Sequence, residues 1–326
     1  LEIDKMAHLM RKSNGLSRRS LLKGMGAAAA LAVGGGFGLA PRRAAAQDTL
    51  GSPSAFYRFM FGDLEMTIIQ DGAIQFPPTN FGANALEADL IGALEANNYP
   101  TGPQMVTIDV TLVRNGDTLA LFDSGIGNSF GVPARLLPTL AAVGVAPEDI
   151  TNVIITHFHS DHLAGIVNEN GLTFPNAAVH FPQLEYEFLQ SAAGNENVDG
   201  ALAQLQPAVD ADQLELYASD QEVLPGIVGI AAPGHSPGHH ALLVTAGGQS
   251  YLNIADTAVH PLISLYNPSW HFVFDADGAQ AAETRRAILQ WAVDEDLLLF
   301  GYHFPFPGIG VIDTAGDGYH FFPVGV

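Results

Sequence analysis

The stretch that most constrains this chain is Thr156-His157-Phe158-His159-Ser160-Asp161-His162, which packs three imidazoles and a carboxylate into six residues. Directly before it runs Val153-Ile154-Ile155. An unbroken apolar run rich in β-branched residues predicts a buried strand, so the polar cluster falls in the loop at its end. His157 and His159 are two apart and can face one metal ion together. Asp161 and His162 follow after a turn, point elsewhere and suit a second ion. A metal needs several neutral imidazoles or carboxylates converging to about 2.0–2.2 Å, and this spacing delivers them from one loop. A lone histidine is usually a core or surface residue. Four ligand-type side chains in H-x-H-x-D-H order behind an apolar strand predict a metal site.

The remaining sequence sets bounds. A length of 326 residues is enough for one large domain or two small ones, and 48% hydrophobic residues suit a well-buried core. Cysteine is absent, which excludes disulfides, thiolate ligands and a cysteine nucleophile. Residues 1–46 differ from the rest. Ser17-Arg18-Arg19-Ser20-Leu21-Leu22-Lys23 has the twin-arginine export pattern, an Ala/Gly-rich stretch follows to Ala40, and Ala44-Ala45-Ala46 offers a small-residue cleavage site. Residues 1–46 are therefore expected to be a cleaved signal peptide and residues 47–326 one mature domain, periplasmic or secreted. The glycine-rich stretch is short and weakly apolar for a membrane span, so no stable anchor is expected after cleavage.

Charge narrows the partners. Residues 47–326 hold five arginines, no lysine and 32 acidic residues, a net charge of −27. Nucleic acid is excluded as a partner, and polyanionic substrates are disfavoured.

The histidine stretch resembles the T-H-x-H-x-D-H signature of the metallo-β-lactamase-fold hydrolases. The resemblance extends to the methyl parathion hydrolase and lactonase branch through Tyr57-Arg58-Phe59-Met60-Phe61-Gly62-Asp63, through Pro233-Gly234-His235-Ser236-Pro237-Gly238-His239, and through His303-Phe304-Pro305-Phe306-Pro307-Gly308. It covers nearly everything from Phe56 to Val324. It implies an α/β fold, a four-layer αβ/βα sandwich in which two mixed sheets face each other, helices cover the outside and metals sit at one edge. The absence of cysteine separates this chain from family members that hold one zinc through a thiolate.

By the family pattern, His157, His159 and His235 hold one ion, Asp161, His162 and His303 the other, and Asp256 touches both. Asp123, in Asp123-Ser124-Gly125, is implied to support the histidine loop from behind, and His239 to support the loop of His235. Phe130, Leu189, Val259 and His260 fall where the branch has substrate-pocket residues. Leu189 stands where a relative carries a tryptophan, and Val259 where the lactonases carry a tyrosine. Phe76 and Phe81 are further candidates for the pocket or for ordinary loop packing.

Such a ligand set implies two divalent ions, zinc first, with manganese, cobalt or iron also compatible with nitrogen and oxygen donors. A hydroxide bridging them would attack a carbonyl or phosphorus, with Asp161 and Asp256 as the catalytic carboxylates. The expected substrate is a small, neutral, apolar ester-like molecule: an N-acyl-homoserine lactone or aryl ester, with organophosphate triester hydrolysis as a side activity. An organophosphate hydrolase proper, a β-lactamase and a catalytically silent metal-binding protein are the alternatives. The branch resemblance implies a homodimer.

Overall fold

A computed structural model describes residues 55–325. The twin-arginine segment and the start of the expected domain at 47 lie outside the described residues. The first sheet runs in the order β1-β2-β3-β4-β5-β8-β9. Its strands are β1 (Ala55–Phe61), β2 (Leu64–Phe76), β3 (Gln104–Asn115), β4 (Thr118–Phe122), β5 (Asn152–Ile154), β8 (Ala178–Pro182) and β9 (Leu214–Tyr217). The first four pair antiparallel, and β4, β5, β8 and β9 pair parallel. A two-stranded hairpin, β6 (Val167–Asn168) and β7 (Gly171–Leu172), branches off between β5 and β8.

The second sheet runs β10 (Glu222–Leu224), β11 (Ile227–Ala231), β12 (His240–Ala246), β13 (Gln249–Asn253), β14 (Leu298–Phe300), β15 (Ile309–Ala315) and β16 (Gly318–Pro323), in that order. Only β13 and β14 are parallel. The strands β11, β13 and β14 therefore point the same way and end on one edge, as β4 and β5 do in the first sheet. Every ligand-type residue anticipated from the sequence follows one of these five ends.

The inner faces of both sheets share one core, in which Ile68, Val110, Leu121, Ile154, Leu242 and Phe300 are inaccessible to solvent. Burying each such side chain contributes roughly 1.5–3 kcal/mol. Helices cover the outside. Of these, α1 (Glu87–Ala96) and α2 (Leu136–Ala142) precede the histidine loop, which itself forms the single-turn α3 (Ser160–Leu163). Next, α4 (Gln183–Ser191) and α5 (Glu196–Asp210) pack beside β8 and β9. A single turn, α6 (Ile263–Tyr266), and the long α7 (Gly278–Asp294) follow. Ile288, Leu289 and Trp291 of α7 close a second core on the outer face of the second sheet. The two-sheet sandwich with outer helices is the expected fold. Turn geometry brings the sheets together at Gly62 (φ +59°), where a Cβ would lie 2.5 Å from the carbonyl carbon of Ala246, so only glycine fits.

Candidate metal centre

Backbone bonds tie the two sheets beside the site. The amide of His240 donates to the carbonyl of Thr156 (3.1 Å), and that of Asp109 to the carbonyl of Tyr302 (3.1 Å). Within this frame the seven ligand-type side chains form two groups, His157, His159, His235 and Asp256 in one and Asp161, His162 and His303 in the other. In the first, Nδ1 of His159 lies 3.1 Å from Nε2 of His157 and 2.9 Å from Nε2 of His235. In the second, Oδ2 of Asp161 lies 3.3 Å from Nε2 of His303 and 3.7 Å from Nε2 of His162.

Asp256 joins the groups. Its Oδ2 is 3.1 Å from Nε2 of His235, while its Oδ1 is 3.1 Å from Nε2 of His162 and 3.3 Å from that of His303. One carboxylate thus turns one oxygen to each group, as a bridging ligand must. His162 Nε2 and Asp256 Oδ1 are buried and close, yet neither makes a hydrogen bond. Buried polar atoms are normally satisfied. Two that converge without bonding fit a shared third atom, and the donor set of imidazoles and carboxylates fits a pair of divalent ions.

Four of the five histidines are oriented through their other nitrogen. Nδ1 of His162 meets Oδ2 of Asp123 at 2.8 Å, and Nδ1 of His235 meets Oδ1 of Asp275 at 3.0 Å. Nδ1 of His303 meets the carbonyl of Thr107 at 2.8 Å, and Nδ1 of His157 the hydroxyl of Thr156 at 3.1 Å. These partners fix the ring orientation and leave the inner nitrogens facing the centre. Asp123 also accepts from the amide (2.8 Å) and hydroxyl of Thr156, at the start of the histidine loop. His239 reaches the base of the His235 loop and the Asp256 loop. Its Nδ1 bonds to the carbonyl of Ala232, and its Nε2 accepts from the amide of Asp256 at 3.1 Å.

The electrostatics of the protein groups are polarised. Burial is the largest influence on His157 and holds its pKa well below the ordinary imidazole value; burial and His235 lower that of His159 to about 3. Burial also opposes charge on His235 and His303. Asp256 and Asp275 outweigh it at His235, pushing it up to about 9, and Asp256 and Asp161 outweigh it at His303, pushing it up to about 10. Burial alone would raise Asp161, but His162 and His303 bring it down to about 2.

A cavity of about 420 Å³ opens over the centre. His159, Asp161, His235, Asp256 and His303 form part of its lining, and Phe76, Phe130, Phe158, Phe272 and Phe274 add aromatic surface. Among the described residues no lysine or arginine lines it. Residues 105–303, more than half of the chain, match the family model of the Metallo-beta-lactamase superfamily. The chain belongs to this superfamily.

Within the superfamily it is similar to the N-acyl homoserine lactonase of Bacillus cereus, 34% identical over 110 residues, which are 34% of this chain and 39% of the relative. The chain thus spans about two-fifths of the length of that curated relative. Among solved structures it is similar to AidC, a dizinc quorum-quenching lactonase in complex with a product (TM-score 0.77, 27% identity, 84% of this chain and 98% of the other). It is also similar to the hydrolase AbOPH of the beta lactamase superfamily (TM-score 0.76, 26% identity, 83% and 98%).

Against this superfamily frame, two pocket expectations are corrected. Leu189 is fully buried in the core and does not line the cavity. On α4 it projects inward. The leucine in place of the relative's tryptophan therefore takes no aromatic surface from the cavity, which five phenylalanines line. His260 lies behind the wall, where Nδ1 accepts from the amides of Leu262 and Ile263 and Nε2 meets Gln104. Phe130 and Val259 do line the cavity. Phe76 lines it too, whereas Phe81 is buried behind, stacked on Phe272 at 5.5 Å.

Three supporting residues escaped sequence reasoning. Glu185 is buried and accepts from the hydroxyl of Ser236, the amide of Gly238 (2.6 Å) and the amide of Phe158 (3.2 Å). It ties both histidine loops to α4. Asp275 orients His235. Arg285, 1% exposed, donates to the carbonyls of Thr257, Pro268 and Trp270 and lies 3.5 Å from Asp275. Only the pairing of a helix signal with two adjacent arginines hinted that one of them must face inward.

Proposed function

We propose that this chain is an exported, dinuclear metal-dependent hydrolase acting on neutral lactone or ester carbonyls, of the N-acyl-homoserine lactone or aryl ester type. The observation that carries the reading is Asp256, which divides its oxygens between two ligand groups at the floor of an aromatic, cation-free cavity. The similar lactonases, which act on acyl-homoserine lactones, support the same substrate class.

His157, His159 and His235 would hold one ion, Asp161, His162 and His303 the other, with Asp256 shared; zinc is the proposed metal, from the dizinc neighbour and the donor set. Two such ions supply Lewis-acid polarisation of the carbonyl and a water of lowered pKa. The phenylalanine walls exclude bulk water and hold the apolar part of the substrate against the floor. Asp161 faces the cavity and, as an ionised carboxylate, would take the proton of the attacking water and return it to the departing oxygen. No serine or cysteine nucleophile is required.

Neutral triesters suit the same aromatic cavity, which no lysine or arginine among the described residues lines, so organophosphate hydrolysis is proposed as a side activity. The deciding experiment is a hydrolysis panel on the purified metal-loaded protein. It compares acyl-homoserine lactones, an aromatic lactone, a nitrophenyl ester, methyl paraoxon and a cephalosporin, with metal content measured on the same sample. Lactone turnover above the rest with two ions bound is expected. Dominant triester or cephalosporin turnover, or two ions without any turnover, sinks the reading. Export through the twin-arginine route rests on the Ser17–Lys23 pattern and is tested by replacing Arg18 and Arg19 with lysine and following the protein between cell fractions. A homodimer rests on the branch resemblance and is tested by light scattering.

A further inference from the structure

We propose that Gly200 is the specificity residue that admits long acyl chains, by leaving a notch in the cavity wall built by α5; this rests on the ester and lactone reading above. The helix is anchored by Asn195, whose side chain accepts from the amide of Asn197 at 3.1 Å. Val198, Ala201, Leu205 and Ala208 form its buried face. The adjoining stripe of Asn197, Gly200 and Gln204, with Ala201, lines the cavity over the metal centre.

Glycine inside a helix is less favourable than alanine, so its presence at 200 needs a cause. Conformation is not the cause, because Gly200 is not among the glycines of positive φ. Packing is not the cause either. A Cβ there would meet nothing within 4 Å, whereas at Gly238 it would lie 2.2 Å from the amide nitrogen of Glu185. What glycine provides at 200 is open space. Asn197 and Gln204, about one turn away on either side, carry longer side chains, so Gly200 forms the floor of a notch between them.

The notch is placed to receive a chain. Helix α5 packs against α3, whose Ser160 and Asp161 line the same cavity beside His159. A substrate with its carbonyl over the metal groups can extend its tail along α5. That tail is neutral: Glu196 lines the cavity on the same helix, and no cationic side chain among the described residues offsets it.

The test compares the metal-loaded wild type with Gly200→Leu and Gly200→Ala. Calorimetry gives the affinities of N-decanoyl- and N-butanoyl-homoserine, whose shared head group cancels in the ratio. Each buried methylene is worth roughly fourfold in affinity. Wild type should prefer the decanoyl ligand, and Gly200→Leu should cut that preference at least about tenfold, with Gly200→Ala between the two. Both variants should melt no lower than wild type, since each improves helix propensity. Should Gly200→Leu melt lower, the decision passes to Gly200→Ala, whose preference must fall below that of wild type. An unchanged ratio in a stably folded variant, a wild type indifferent to chain length, or no binding of either ligand overturns the proposal. Lactone turnover by the wild type is read separately. A chain-length preference lost at Gly200→Leu without any lactone turnover would sink the lactonase reading and leave the notch standing.

Discussion

Oδ1 of Asp275 sits 3.0 Å from Nδ1 of His235, on the side of the ring away from the metal-facing nitrogen. Its other oxygen accepts from the amide of Phe272 (2.8 Å) and faces the buried guanidinium of Arg285. Phe272 lines the cavity and lies nearly parallel to the His235 ring, 17° between planes. One carboxylate therefore fixes a ligand and a wall residue together, and Arg285 extends the tie to the carbonyl of Thr257, next to Asp256.

Replacing this carboxylate should loosen His235 while leaving the ligand present. Asp275→Ala is expected to weaken metal retention by about 10–100-fold, measured as zinc occupancy against a competing chelator. Asp275→Asn keeps an acceptor and should fall between. Equal zinc affinity in Asp275→Ala and wild type would show that the contact orients nothing.

Asp256 is the shared ligand, so Asp256→Asn should affect both groups. The expected metal content falls below two ions per chain, and hydrolysis of the best panel substrate falls on the order of 100-fold or more. Mass spectrometry of the metals and initial rates on one sample check this. Full metal content with full activity would remove Asp256 from the centre.

Proton release follows from the pKa pattern. Among the protein groups alone, His235 (about 9) and His303 (about 10) are protonated at pH 7. Their pKa values lie above the ordinary imidazole value, so the protons are held until the pH rises through about 9 to 10. A divalent ion requires the neutral ring and must displace them. Zinc binding at pH 7 should therefore release protons, and affinity should climb with pH up to that window. Calorimetry in buffers of different ionisation enthalpy reads the release directly. No release at pH 7 contradicts the arrangement.

Glu185 gives a stability prediction. Removing its carboxylate strands the hydroxyl of Ser236 and the amides of Gly238 and Phe158 in a buried position. Each unsatisfied donor costs about 1–3 kcal/mol, so Glu185→Ala should cost roughly 3 kcal/mol or more. For a domain of this size that lowers Tm by about 6–12 °C. Glu185→Gln retains an acceptor oxygen and should lose less. A melting temperature unchanged in Glu185→Ala would mean that water replaces the carboxylate.

The strand ends and the groups they carry were legible because each ligand-type residue follows an apolar run. Val153-Ile154-Ile155 before His157 and Leu297–Phe300 before His303 mark both a buried strand and the point where it stops. The supporting charges were not legible. Glu185 and Arg285 sit in helices among other polar residues, where an outward-facing charge has the same local pattern. Leu189 was misplaced because its side depends on the rotation of α4, which tertiary packing sets. The short strands β9 and β10 and the turn α6 escaped because Leu214–Tyr217 and Glu222–Leu224 mix acidic with apolar residues and owe their conformation to β8 and β11 beside them.

The charge imbalance predicts how the fold responds to salt. Residues 47–326 carry 32 acidic residues against five arginines. Arg285 is buried on backbone carbonyls, Arg286 donates to the backbone carbonyl of Asp317 and the hydroxyl of Ser269, and Arg58 and Arg114 both approach Glu65 at 3.9 and 3.6 Å. Surface carboxylates therefore far outnumber the cations available to pair with them. The resulting self-repulsion is strongest in the compact state. Sodium chloride at 1 M shortens the screening length from about 8 to about 3 Å, so Tm should rise between 0.15 and 1 M, by about 2–8 °C for a gain of about one to two kcal/mol. Salt also weakens the exposed pairs at Glu65, which opposes the gain, but such pairs are worth only about 0.2–1 kcal/mol. The sign of the change thus shows which term dominates. A melting temperature that falls as sodium chloride is added would mean that attractive pairs, not repulsion, govern this surface.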